Sequence, residues 1–399
     1  MSEFIQLHIL VSYPPSNLNR DDMGRPKTAV VGGRQRLRVS SQSLKRAWRT
    51  SDLFDECLHG CVGIRTKDLG CKISEALTSG KSLVDIISRK ADAAQINEPM
   101  PEDMANIYSS AIADAFGDLK PMEEWSNGPV HKQMVHYNPS EIRSVDRLIS
   151  GIFGKGDSKV DTDTLKALGE SITGGKKLDK KVVTRINEAV RTATLNTEDN
   201  GVDLAMFGRM LASSPAYNVE AAVQVSHAIT VNEAVVEDDY FTAVDDLNRG
   251  EEDMGAGHVG EAEFGSGVFY IYACVNYDLL VKNLDGNRDT ASKTLKALVE
   301  AATKVSPNGK QNSFASRAYA SYILAEKGKQ QPRSLSVAFI PPVRDVDMVG
   351  TAIQALKDTR GKMDAVYGAC CEEHMEMNAH SGEGSLREIC DFVAGDHAA

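Results

Sequence analysis

Val31–Arg49 reads VGGRQRLRVSSQSLKRAWR, and its interpretation fixes the rest of the chain. A loop carrying Gly32 and Gly33 delivers Arg34, Arg36 and Arg38 to a helix that starts near Ser40 or Ser41, serine being a favoured N-cap. In that helix Gln42, Lys45, Arg46 and Arg49 recur at i, i+3, i+4 and i+7 and share one face. Leu44, Ala47 and Trp48 occupy the other face and anchor it to a core. A helix start offers free N–H groups and a partial positive charge, which suit phosphate. The pattern predicts a grip on a nucleic-acid backbone that does not read sequence.

The 399 residues carry a formal net charge of −11, which taken whole argues against that prediction. The distribution reverses the argument. Between Arg20 and Arg49 nine basic residues face only Asp21 and Asp22, so the segment is +7 and the remainder −18. Phosphates respond to the local field, not to the average. Arg20, Lys27, Arg34, Ser40, Gln42, Lys45, Arg46 and Arg49 are the candidate nucleic-acid contacts of this segment.

Outward from there, Phe4–Ser12 alternates as a strand, and His8 within it is expected to be packed and hydrogen-bonded. Tyr13–Gly33 is loop-like. Residues 96–200 form a mainly helical insertion broken at WSNGPV, FGKGDS and TGGKKLD, without a chemical motif. Gly201–Leu211 reads as a strand running into a turn, and Asn218–His227 as a helix with Ala221, Ala222 and Val225 inward. Val231–Gly267 is acidic and glycine-rich, with Tyr240-Phe241-Thr242 in polar surroundings. Val268–Tyr277 reads as a strand, Asn287–Lys304 as a helix, Leu335–Ile340 as a strand and Asp345–Met377 as largely helical, with a short helix and a frayed tail at the end. Without a regular βαβα alternation the expected class is α+β, an antiparallel sheet with long insertions. No membrane span or leader is evident, so a cytoplasmic protein is expected.

Chemistry-bearing motifs are weak. Gly255, Gly257 and Gly260 have dinucleotide-fingerprint spacing but follow acids, not an apolar strand. Cys57-x3-Cys61 and Cys370-Cys371-x2-His374 lack a matching second pair, so the seven cysteines are expected to be reduced thiols. No catalytic residue, metal or cofactor is expected.

LNRDDM (Leu18–Met23), the Val31–Arg49 stretch, FGRM (Phe207–Met210), SHAIT (Ser226–Thr230), YFTAVDDL (Tyr240–Leu247) and HVGEAEFGSGVFYIYA (His258–Ala273) strongly resemble the CasC family, the repeated backbone subunit of the type I-E CRISPR Cascade complex. The resemblance is firm over residues 4–50 and 200–276 and looser over 310–343. It implies a hand-shaped protein. An RRM-like (ferredoxin-like) palm would span 1–95 and 201–399, helical fingers 96–200, and a β-hairpin thumb about 231–267. It also implies a non-catalytic subunit that polymerises along the guide RNA and displays it for pairing with target DNA. Its partners would be the guide, further copies of itself, and the large, small and guide-end cap subunits. By the same resemblance Arg209 and Met210 lie near the guide, and Phe241, Thr242 and Val259 displace a base. A metal-dependent RNA-cleaving subunit using loop carboxylates, Asp21 or Asp22 first, is the alternative, and a scaffold holding no nucleic acid the third.

Overall fold

The computed structural model describes residues 2–155, 160–195, 201–211, 214–243 and 258–395; of Ala243, His258 and Val259 it describes only the backbone. Helices and one large antiparallel sheet make it an α+β protein. The chain divides into two compact units, one of Met1–His59, Val223–Val281 and Asn287–Ala399, the other of Gly60–Ala222 and Lys282–Gly286. The helical insertion anticipated at 96–200 lies inside the second.

The first unit is built on β1 (Phe4–Ser16), β2 (Thr28–Val31), β3 (Arg34–Val39), β6 (Val223–Val225), β7 (Ala228–Thr230), β8 (Glu237–Ala243), β9 (His258–Asn276), β10 (Ala320–Gly328) and β11 (Glu373–Asn378). Their order is β11-β10-β1-β9-β7-β3-β2, with β6 and β8 also paired to β9. Nineteen-residue β9 is the spine, running antiparallel to β8, β1, β7 and β6 along its length. β1 is buried on both faces, with Ile5, Leu7, Ile9 and Val11 on one and Gln6, His8 and Leu10 on the other. That is the burial of a central strand, and it explains why Leu10 breaks the polar side of the alternation.

His8 is packed and hydrogen-bonded. Its Nδ1 lies 2.8 Å from the Tyr270 hydroxyl and its Nε2 3.2 Å from the Glu326 carboxylate. Glu326 also accepts from Arg333 at 2.9 Å and Arg360 at 2.7 Å. Burial pushes the His8 pKa down, while His8 and then Arg333 hold Glu326 well below the usual carboxylate range despite its own burial. Around this network Leu10, Tyr270, Tyr322 and Leu324 pack with Phe339, Ala352, Ile353 and Leu356.

Several local expectations change. Asn218–His227 is not a helix: Val223 and Val225 pair with Val275 and Ala273 of β9. Gly201–Leu211 is not a strand: Val202–Phe207 is a helix closed by Gly208 at φ +73°. Leu335–Ile340 is not a strand either, since Ser336–Phe339 is a 3-10 turn. Asp345–Met377 divides into a helix, Met348–Tyr367, and the strand β11. Asn287 caps the expected helix Arg288–Lys304 by accepting from the Thr290 N–H.

In the second unit, helices such as Leu69–Ser79, Glu102–Asp114, Pro139–Ile152, Thr162–Ile172 and Lys180–Thr194 enclose a core of Leu77, Ile112, Phe116, Val145, Leu165 and Val190. β4 (Ile64–Thr66) and β5 (Val135–Tyr137) form a short antiparallel pair beside them. No helix among the described residues is long and apolar enough to cross a membrane, and all seven cysteines are unpaired thiols.

Candidate nucleic-acid interface

β2 and β3 form a hairpin whose two-residue turn, Gly32-Gly33, has φ +60° and +71°, as a type I′ turn requires. Gly32 is doubly constrained, because a side chain there would run into the Ile340 carbonyl. Along β3 the alternation puts Arg34, Arg36 and Arg38 on one face. They do three different things.

Arg36 corrects the expectation that all three reach phosphate. It is fully buried, and its guanidinium donates to the carbonyls of Thr230 (3.0 Å), Val231 (2.6 Å), Phe339 (2.9 Å) and Ile340 (3.2 Å). It is an internal clamp. Arg34 is exposed and reaches Glu233 at 3.3 Å. Arg38 is half-buried, and its Nη1 donates to His227 Nδ1 at 3.1 Å. Since arginine has no acceptor, Nδ1 takes the bond and the neutral ring carries its proton on Nε2.

His227 reports the local charge. Desolvation lowers its pKa first, and then the positive charges of Arg38, Lys27 and Lys45 lower it further. Those three cations come from the residue before β2, from β3 and from the Ser41–Arg49 helix. The fold brings them around one imidazole.

Backbone bonds hold them there. Asn19 is the hub: its Oδ1 accepts the Ser40 N–H at 2.9 Å and its carbonyl accepts the Lys27 N–H at 2.8 Å, while the Lys27 carbonyl accepts from Arg38 N–H at 2.8 Å. Ser40 is the N-cap, its hydroxyl accepting from the Ser43 N–H at 3.3 Å. On the helix, Gln42 and Arg46 are exposed and Lys45 and Arg49 half-buried, while Leu44, Ala47 and Trp48 are buried. The first turn holds no acid to compete with an anion. Arg20 and Arg46 line a concavity of about 590 Å³ with Asn19, Ser43 and Thr50, one wall being Asn308-Gly309. Asp21 is committed to its own loop, its Oδ1 accepting from the Met23 and Arg25 N–H groups at 3.0 and 2.9 Å.

A family model described as CT1975-like protein matches residues 5–389. The chain belongs to this family. A solved chain titled "CRISPR RNA-guided surveillance complex, pre-nicking" is 27% identical with a TM-score of 0.75, covering 98% of this chain and 99% of that one. A second, titled "CRISPR RNA-guided surveillance complex", has the same fold at 22% identity and a TM-score of 0.64, covering 98% and 99%. No curated protein matches. The chain is thus a Cascade-type CRISPR protein of the CT1975-like family.

The remaining candidates divide. β8 and β9 pair antiparallel from Glu237↔Phe264 to Ala243↔His258, an arm that carries Tyr240, Phe241 and Thr242, all exposed. The ring of Phe241 lies over Gly260, its cross-strand partner, where a Cβ would collide with it. The third glycine of the weak fingerprint is therefore a seat for an aromatic ring and not part of a nucleotide loop. Val259 is opposite Thr242 by backbone register, and its side chain lies outside the described residues, as do Gly255 and Gly257. Met210 is exposed. Arg209, expected near the guide, is instead turned inward: its guanidinium meets the buried Glu141 carboxylate at 2.7 Å and the carbonyls of His136 and Tyr217. The sequence offered no sign that Glu141 would claim it.

Proposed function

We propose that the chain is the non-catalytic guide-RNA-binding backbone subunit of a type I-E Cascade complex. It polymerises along the guide and displays it for pairing with target DNA. The observation that carries this reading is the gathering of Lys27, Arg38 and Lys45 around His227, beside a serine-capped helix whose outer face continues the positive charge. Such a surface holds phosphates irrespective of base identity, which suits a guide whose sequence varies.

The antiparallel sheet would be the RRM-like palm and the second unit the fingers. The β8–β9 arm would be the thumb, whose Phe241 wedges against an unstacked base; aromatic contact offsets part of the few kcal/mol that unstacking costs. The 27%-identical chain of a CRISPR RNA-guided surveillance complex supports the reading. The test is purification of the full chain with its neighbouring gene products, followed by sequencing of bound RNA. Guide-derived RNA is expected, protected at a regular interval. RNA-free protein, or metal-dependent cleavage of added RNA that Asp22→Asn abolishes, overturns the proposal.

A further inference from the structure

Two arginines clasp one carboxylate at the root of the β8–β9 arm, near a third that is buried. Glu233 takes Arg34 on one oxygen at 3.3 Å and Arg344 on the other at 3.0 Å. Beneath them the buried Arg36 lies close enough to Glu233 for the carboxylate to offset part of its desolvation. The site is rigidly built. Arg36 ties the Thr230 and Val231 carbonyls to those of Phe339 and Ile340. The Val343 N–H donates to the Val231 carbonyl at 2.9 Å and the Ala234 N–H to the Gln35 carbonyl at 2.8 Å. The segments bearing Arg34, Glu233 and Arg344 are thus pinned to one another, while the two outer arginine side chains remain 51% and 61% exposed. Arg34 and Arg344 against Glu233 leave the exposed cluster with one more positive charge than negative. Arg344 lies more than 290 residues from the basic segment in sequence, so no reading of that segment could include it.

We propose that Arg34 and Arg344, set over Arg36, form a second phosphodiester-binding site in which Glu233 holds the phosphate's place until single-stranded RNA displaces it. This rests on the reading that the chain holds RNA. The carboxylate presents two oxygens to two guanidiniums, as a phosphate does. Exposed ion pairs of this kind are weak enough to exchange. Glu233 would also discourage stray polyanions, because any ligand must first break both pairs.

The test uses the full chain and a fluorescent oligouridylate, titrated across a range of salt concentrations. Glu233→Gln should bind about fivefold more tightly, the scale of two weak exposed pairs no longer in competition. Arg344→Ala should bind more weakly and lower the magnitude of the salt slope by about 0.7, one single-strand phosphate contact. The double variant should lose the gain of Glu233→Gln. Both side chains are more than one-third exposed, so folding is preserved; Arg34→Ala is the second variant and should behave as Arg344→Ala does. An unchanged slope in both arginine variants, or no tightening in Glu233→Gln, overturns the site. Lys45→Ala, run in parallel, separates this failure from that of the function: if it lowers the slope while Arg344→Ala does not, RNA binding stands and this site falls. A wild-type chain that binds no oligouridylate overturns both.

Discussion

Replacing Lys27, Arg38 and Lys45 together by alanine removes the three cations that converge on His227. Each single-strand phosphate contact adds about 0.7 to the slope of log K against log salt, so the triple variant should lose about 2.1. The lost factor per contact is about 8 at 50 mM salt and about 3 at 200 mM, so affinity should fall about 500-fold and about 30-fold respectively. The two lines therefore converge as salt rises. Anisotropy of a labelled oligonucleotide short enough for one subunit measures this directly. Parallel lines, with affinity reduced equally at every salt concentration, would refute the reasoning: the cations would then be acting through packing or folding and not through phosphate. All three residues keep some exposure, so a large loss of stability is not expected.

Three further outcomes follow. The pKa of His227 is lowered by partial desolvation and by its basic neighbours; bound phosphate would relieve that repulsion and raise it, so RNA should bind more tightly as pH falls from about 8 to about 5.5. Titrations at the two ends should differ for the wild type and coincide for His227→Gln. Phe241→Ala should leave RNA retention within a few-fold of wild type yet erase the periodic hyper-reactivity of displaced bases under chemical probing; an unchanged pattern removes Phe241 from that role. Arg209→Met strands the buried Glu141 carboxylate and should destabilise its unit by about 3–5 kcal/mol. Denaturant unfolding reads that loss, while the salt slope for RNA stays at its wild-type value.

What could be read from sequence was what local rules determine. The Ser40 and Asn287 caps need only their own helix, and both stand where capping chemistry puts them. β1 was visible from its alternation. Arg36 was not legible as a clamp, because strand period says which face a side chain takes and not what covers that face; the carbonyls of Phe339 and Ile340 arrive from some 300 residues away. Ala221, Ala222 and Val225 satisfy a helical period while Val223, Gln224 and Val225 alternate as a strand does, and pairing with β9 settles the matter through long-range bonds. Val202–Phe207 is a single short helix, too brief for periodicity, although Gly208 marked its end. Glu233 and Arg344 were passed over because their meaning lies in one another and in Arg34.

The ionic network under His8 has a consequence for how the sheet is assembled. Side chains in a strand change faces at every residue, so sliding β1 by two positions against β9 and β10 keeps its faces but would exchange His8 for Gln6 or Leu10 beside Tyr270 and Glu326. The aliphatic face would barely object, since Ile5, Leu7, Ile9 and Val11 are near-equivalents in shape. The charged face would object strongly: Glu326 would lose a partner in a dry interior, and desolvated charge is expensive. Shape alone leaves several alignments of the central strands nearly degenerate, and one imidazole chooses among them. His8→Leu should therefore fold into a mixture of alignments, with doubled cross-strand NMR contacts along β1, even where its overall stability is little changed.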